Sequence, residues 1–183
     1  EITEPEGSAE ELQYVKDLLG SFTTSYSTSG ANRSKNIASG TEHINGTVLY
    51  PGEEFSAYEV VAPFTAENGY AMAGSYLNGE TVDSMGGGIC QVSTTLYNAV
   101  LRAELEVTER SPHSMTVSYV ELSEDAAIAG TYKDLKFVNN TDYPVYIEGY
   151  TSSDKKVTFN IYGKETRDPE REISFESVLV SQT

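Results

Sequence analysis

Three glycines, Gly86 to Gly88, run straight into the strongest helical pattern of the chain. From about Cys90 to Leu105, the residues Val92, Leu96, Ala99, Val100 and Ala103 recur at i, i+4, i+7, i+8 and i+11, one apolar stripe along an α-helix. Most of the remaining chain reads as strands. Thr47 to Tyr50 follows the Asn45-Gly46 turn, and Phe55 to Asp83 reads as short strands between turns with a hairpin at Asn78-Gly79. Thr116 to Val120 alternates. Leu135 to Asn139 and Val145 to Tyr150 read as a hairpin around 140–144, and Val157 to Tyr162 adds a further strand. A second helix is expected over Asn32 to Ile44, and Glu11 to Leu19 forms a short helix or lead-in. Strands outnumber helices and come in runs. The expectation is therefore an α+β domain, mainly antiparallel, with two or three helices and Cys90 at the N-terminus of the central one.

The length of 183 residues suits one domain of about 150 residues with tails. Residues 1–10 read as an acidic tail, 11–165 as the domain, and 166–183 as a linker or edge strand towards a following module. A formal charge of −16 excludes nucleic acid as a partner, because lysine and arginine must neutralise phosphates there. It also disfavours an anionic membrane surface. No apolar run approaches the roughly 20 residues that span a bilayer. No signal-like region stands at Glu1, so the sequence reads as a piece of a longer, processed or anchored chain.

Cys90 is the single cysteine, so it has no internal disulfide partner and is either core packing or chemistry. In the first turn of a helix, unpaired N–H groups and the macrodipole favour its thiolate. A thiol nucleophile needs a base, and the chain has two histidines. His113 follows Pro112, before the alternating run 116–120, in the helix-cysteine, strand-histidine layout of papain-like and NlpC/P60-like thiol enzymes, a likeness of layout alone. His43 falls late in the first helix and reads as structural. A third group should orient the imidazole. Asp125, Asp134, Asn139 and Asn140 are the candidates, with Asp125 preferred. An oxyanion would be held by the N–H of Cys90 with that of Gly88 or Gln91, or by the Gln91 side chain. Arg33 opens the first helix, on the wrong end for the dipole. It grips a substrate carboxylate or pairs with one of 28 acidic residues. The glycines lack a P-loop Lys-Ser/Thr or a dinucleotide fingerprint, and no metal-ligand spacing is present. No cofactor is expected.

The stretches Gly86-Gly87-Gly88-Ile89-Cys90-Gln91-Val92-Ser93-Thr94-Thr95-Leu96-Tyr97-Asn98-Ala99, Glu109-Arg110-Ser111-Pro112-His113-Ser114 and Val117-Ser118-Tyr119-Val120 resemble the VanW-like domain. So do Asn45-Gly46-Thr47-Val48-Leu49 with Pro51-Gly52-Glu53-Glu54-Phe55-Ser56, Tyr132-Lys133-Asp134-Leu135-Lys136-Phe137, and Asn139-Asn140-Thr141-Asp142-Tyr143-Pro144-Val145. The likeness runs from about Leu19 to Tyr162. It implies an extracytoplasmic, envelope-associated protein of Gram-positive bacteria, anchored to the membrane by a segment outside this chain. It also implies L,D-transpeptidase activity on peptidoglycan stem peptides, making 3-3 cross-links through a thioester on Cys90. The YkuD-type L,D-transpeptidases differ, with a Gly-Cys dipeptide and an upstream histidine, so neither their fold nor their residue roles carry over. Catalysis would fall to Cys90, His113 and Asp125. Substrate contacts would come from Arg33, Tyr26 and Asn36 around the first helix and from Ser93, Ser114 and Tyr119. The competing functions are a thiol carboxypeptidase or endopeptidase on the same stems, and a non-catalytic wall-binding module.

Overall fold

A computed structural model describes residues 9–77 and 79–181. Its main layer is a four-stranded antiparallel sheet in the order β1-β9-β8-β2, built from β1 (Asp17–Ser25), β2 (Thr47–Leu49), β8 (Val145–Thr151) and β9 (Lys156–Gly163). The strands form because apolar residues alternate: Val145 and Ile147 of β8, and Val157, Phe159 and Ile161 of β9, are all buried. Helices α2 (Ala31–Ile44) and α4 (Ile89–Ala103) pack on this sheet. The stripe Val92, Leu96, Ala99, Val100 and Ala103 is almost fully buried. Gly20, at a bulge in β1, has no Cβ because one would meet the Ala99 carbonyl at 2.4 Å; α4 lies that close to the strand.

A three-stranded antiparallel sheet, β3-β7-β6, combines β3 (Glu54–Ser56), β6 (Glu106–Glu109) and β7 (Lys136–Val138). The hairpin β4 (Met72–Leu77) and β5 (Glu80–Met85) stands apart as a third sheet, with Leu77 opposite Glu80. The expected turn at Asn78-Gly79 fits that register, although Asn78 lies outside the described residues.

The α+β, antiparallel expectation holds, with four helices among the described residues rather than two or three. One is α3 (Ala57–Val61), where strands were expected. Ser56 caps it by accepting the Glu59 N–H at 3.2 Å. The helix α1 is only Ala9–Leu12, because Leu18 and Leu19 belong to β1; residues 1–8 of the expected acidic tail lie outside the described residues. β7 and β8 do not form a hairpin. Asn139 sits fully buried between them, its amide donating to the Leu49 and Tyr143 carbonyls at 2.9 and 2.8 Å, and so sends the chain from one sheet to the other. Thr116 to Val120 is not a strand: Val117 turns inward, but among the described residues no strand lies beside it to pair with. Residues 164–181 contain neither helix nor strand.

Candidate active site

Gly88 ends the glycine run at φ +104°, a left-handed conformation that suits glycine, and serves as the N-cap of α4. Cys90 is the second residue of that helix and is partly exposed. Its thiol donates to the Ile128 carbonyl, with Sγ and O 3.4 Å apart. Burial pushes the thiol up from its ordinary value, against the opposing pull of Lys133 and Arg33. The helix end alone was expected to favour the thiolate; burial acts in the opposite sense.

His113 lies in the irregular stretch after β6, not ahead of a strand. Its Nδ1 is 2.6 Å from Asp125 Oδ2, and the same oxygen accepts the His113 backbone N–H at 2.6 Å. Asp125 Oδ1 accepts from Arg110 Nη2 at 3.0 Å, while Arg110 Nε donates to the Asp125 carbonyl at 2.7 Å. Burial works against the Asp125 charge, but the His113 bonds and the Arg110 guanidinium outweigh it and hold the carboxyl below its usual range. Of the other candidates for the third position, Asp134 is spent on Ser56 and on the Tyr58 and Leu135 N–H groups, and Asn139 is the pivot described above.

The polar residues of α4 place this pair. Thr94 Oγ1 accepts the Ala126 N–H at 3.0 Å and donates to the Ala126 carbonyl at 3.2 Å. Ser93 donates to the same carbonyl at 2.7 Å, and Asn98 donates to the Glu124 carbonyl at 2.8 Å. Cys90, Thr94 and Asn98, one turn apart, thus meet the carbonyls of residues 128, 126 and 124 in order. The Ala127 N–H then donates to the Ser111 carbonyl at 2.8 Å, tying the segment that carries Asp125 to the one that carries His113.

Cys90 and His113 line one cleft of about 1180 Å³, together with Tyr26, Arg33 and Tyr119. Two of the remaining expected substrate contacts are committed within the protein, and the third lies outside the cleft lining. Asn36 is fully buried, donating to the Ala71 and Gly87 carbonyls and accepting the Ala71 N–H. Ser93 is spent on carbonyls, and Ser114 is exposed outside the cleft lining. Gln91 lines the cleft, but its side-chain donors go to Thr24 and Ser25 and its N–H to the Gly88 carbonyl, which removes it as an oxyanion donor. His43 is held by the Ser39 carbonyl and Asn68 and stacks on Tyr70, a structural position. Arg110, Thr94 and the Ile128 carbonyl were missed by sequence reasoning; Arg110, three residues from His113 in a chain poor in cations, was the available signal. No cluster of three metal-ligating side chains occurs among the described residues.

The fold and cleft define an α+β domain in which a helix-borne thiol and an imidazole line one cleft, the imidazole held by a carboxylate. The chain belongs to the VanW-like family: the family described as VanW like protein matches residues 32–162. It is 37% identical over 144 residues to the uncharacterized protein YoaR of Bacillus subtilis (strain 168), covering 78% of this chain and 48% of that protein. It is 28% identical over 138 residues to the vancomycin B-type resistance protein VanW of Enterococcus faecalis, covering 72% of this chain and 49% of that one. The chain thus spans about half the length of the curated relatives it matches. No solved structure gives a significant match.

Proposed function

We propose that this domain is a cysteine-dependent acyltransferase of the cell envelope, an L,D-transpeptidase that joins peptidoglycan stem peptides by 3-3 cross-links. The observation that carries the proposal is the His113–Asp125 pair opening on the same cleft as Cys90. Membership of the VanW-like family, and a relative whose name records vancomycin resistance, support the envelope setting.

Burial favours the neutral thiol, so in this scheme its proton leaves as the sulfur attacks. His113 Nε2 takes that proton while Sγ bonds to the carbonyl carbon between the diamino acid and terminal D-alanine, and the carbonyl electrons move onto oxygen. The N–H groups of Gly88 and Cys90, with the positive end of α4, stabilise that oxyanion. As the C–N bond breaks, the imidazolium gives its proton to the departing amine and leaves a thioester on Cys90. The side-chain amine of a second stem attacks the thioester and passes a proton to His113, which returns it to the sulfur as the C–S bond breaks. Asp125 holds the imidazole by Nδ1 and stabilises its charged form, and Arg110 keeps Asp125 ionised.

Incubation of tetrapeptide muropeptides with the protein and with Cys90→Ala tests the scheme. Released D-alanine, 3-3 dimers and an acyl adduct on Cys90 are expected with the first alone. His113→Ala should lower the rate by about 10²- to 10⁴-fold. Identical products from both proteins remove Cys90 from the chemistry. D-Alanine without dimers, in the presence of acceptor stems, assigns a thiol carboxypeptidase, and no product from either assigns a wall-binding module.

A further inference from the structure

The charges around the cleft are unlike those of the chain. The protein carries 28 acidic residues and a net charge of −16. Yet among the described residues that line the cleft there is no aspartate and no glutamate, and Arg33 is the one arginine or lysine. Asp125 stands behind His113, committed to it and to Arg110. Two helices also begin at the cleft, α2 at Gly30 and α4 at Gly88. Neither start has a side-chain cap or an acidic residue in its first turn. Acidic residues are favoured at such positions, so an acidic chain that leaves both clear keeps this cavity electropositive.

Two contacts help to place Arg33 within that cavity. Its Nη1 donates to Ser29 Oγ at 2.7 Å, which fixes the plane of the guanidinium. Its stem lies against the backbone of Gly88, where an added Cβ would come within 2.7 Å of Arg33 Cγ and 3.3 Å of Nε. The cation is therefore set beside the loop that leads into Cys90.

We infer that Arg33 is a specificity-determining residue that selects substrates by a free terminal carboxylate one residue beyond the scissile bond. The inference rests on the acyl-transfer reading for the position of that bond. The carboxylate of a terminal D-alanine stands three covalent bonds from the attacked carbonyl carbon, a short span that suits a guanidinium beside Gly88 and Cys90. A planar fork of N–H donors binds a carboxylate with a strength that a carboxamide does not match. The cleft would then act on chain ends and pass over internal amide bonds.

The test is binding, measured by calorimetry on the Cys90→Ala protein so that no turnover is needed. The probes are the tetrapeptide L-alanyl-γ-D-glutamyl-L-lysyl-D-alanine and the same peptide with a C-terminal carboxamide. With Arg33 present, the acid should bind at least about tenfold more tightly than the amide. Adding Arg33→Ala should bring the two affinities to within about twofold, and Arg33→Lys should restore part of the preference through charge alone. Equal affinities with Arg33 present, an acid preference that survives Arg33→Ala, or no binding of either peptide would each overturn the inference. A positive result establishes the carboxylate preference even if Cys90 proves catalytically inert, and a negative one leaves the muropeptide assay to decide the reaction by itself.

Discussion

β8 and β9 meet their backbone hydrogen-bonding needs by pairing with each other and with β2 and β1, whereas the segment 124–128 relies on side chains of a helix for the main-chain groups of Glu124 and Ala126. The first arrangement depends on no single side chain for its bonds, only for its packing. The second depends on three hydroxyl and amide groups, those of Ser93, Thr94 and Asn98, and loss of Thr94 leaves the buried Ala126 N–H without a partner. The sheet is thus built to tolerate polar change and the loop is not, although the loop carries the carboxylate that orients His113.

That contrast can be broken from the packing side first. Phe159→Ala, which empties a fully buried position of β9, should cost about 3–5 kcal/mol in urea unfolding. The His113–Asp125 geometry should survive wherever the domain remains folded. Thr94→Val keeps the shape of the side chain but removes the acceptor for the Ala126 N–H, so a loss of about 1–3 kcal/mol is expected. Hydrogen exchange at Ala126 should quicken while exchange along β9 stays slow; equal acceleration in both would show that the two regions are not separately held.

Asp125→Asn sharpens the comparison through pH. Asp125 is held below its ordinary 3.8, so its charge adds stability that is fully present above that value and is lost as pH falls through the lower folded one. The stability difference between the protein and Asp125→Asn should shrink once the pH drops below about 4. A difference that stays flat into strong acid would mean that the carboxylate is not held by His113 and Arg110. Ser114→Ala closes the series. The side chain is exposed beside the site and outside the cleft lining, so a change within about 0.5 kcal/mol and an unaltered muropeptide pattern are expected.

The same contrast governs what could be read from the sequence. The α4 stripe and the strands β8 and β9 were legible because periodicity reports which side of an element is covered. Gln91, Thr94, Thr95 and Asn98 look like the solvent face of that helix but are fully buried, since β1 covers one flank and residues 124–128 the other. Spacing ranked Asp125, Asp134, Asn139 and Asn140 almost alike, because the chain path there is fixed by groups some 30 residues earlier. Strand pairing failed for a related reason: alternation identifies β7 and β8 but is silent on the Asn139 bonds that part them. The short helix α3 did carry a signal, Ser56 followed three residues later by Glu59, the pattern of a capping box.

One consequence follows from the ladder that Cys90, Thr94 and Asn98 make along a single helix. The nucleophile candidate and the anchor points of its proton partner are mounted on one rigid rod. A slide or tilt of that rod over the sheet carries both along, so thermal jostling of the scaffold changes where the pair sits more than how its members face each other.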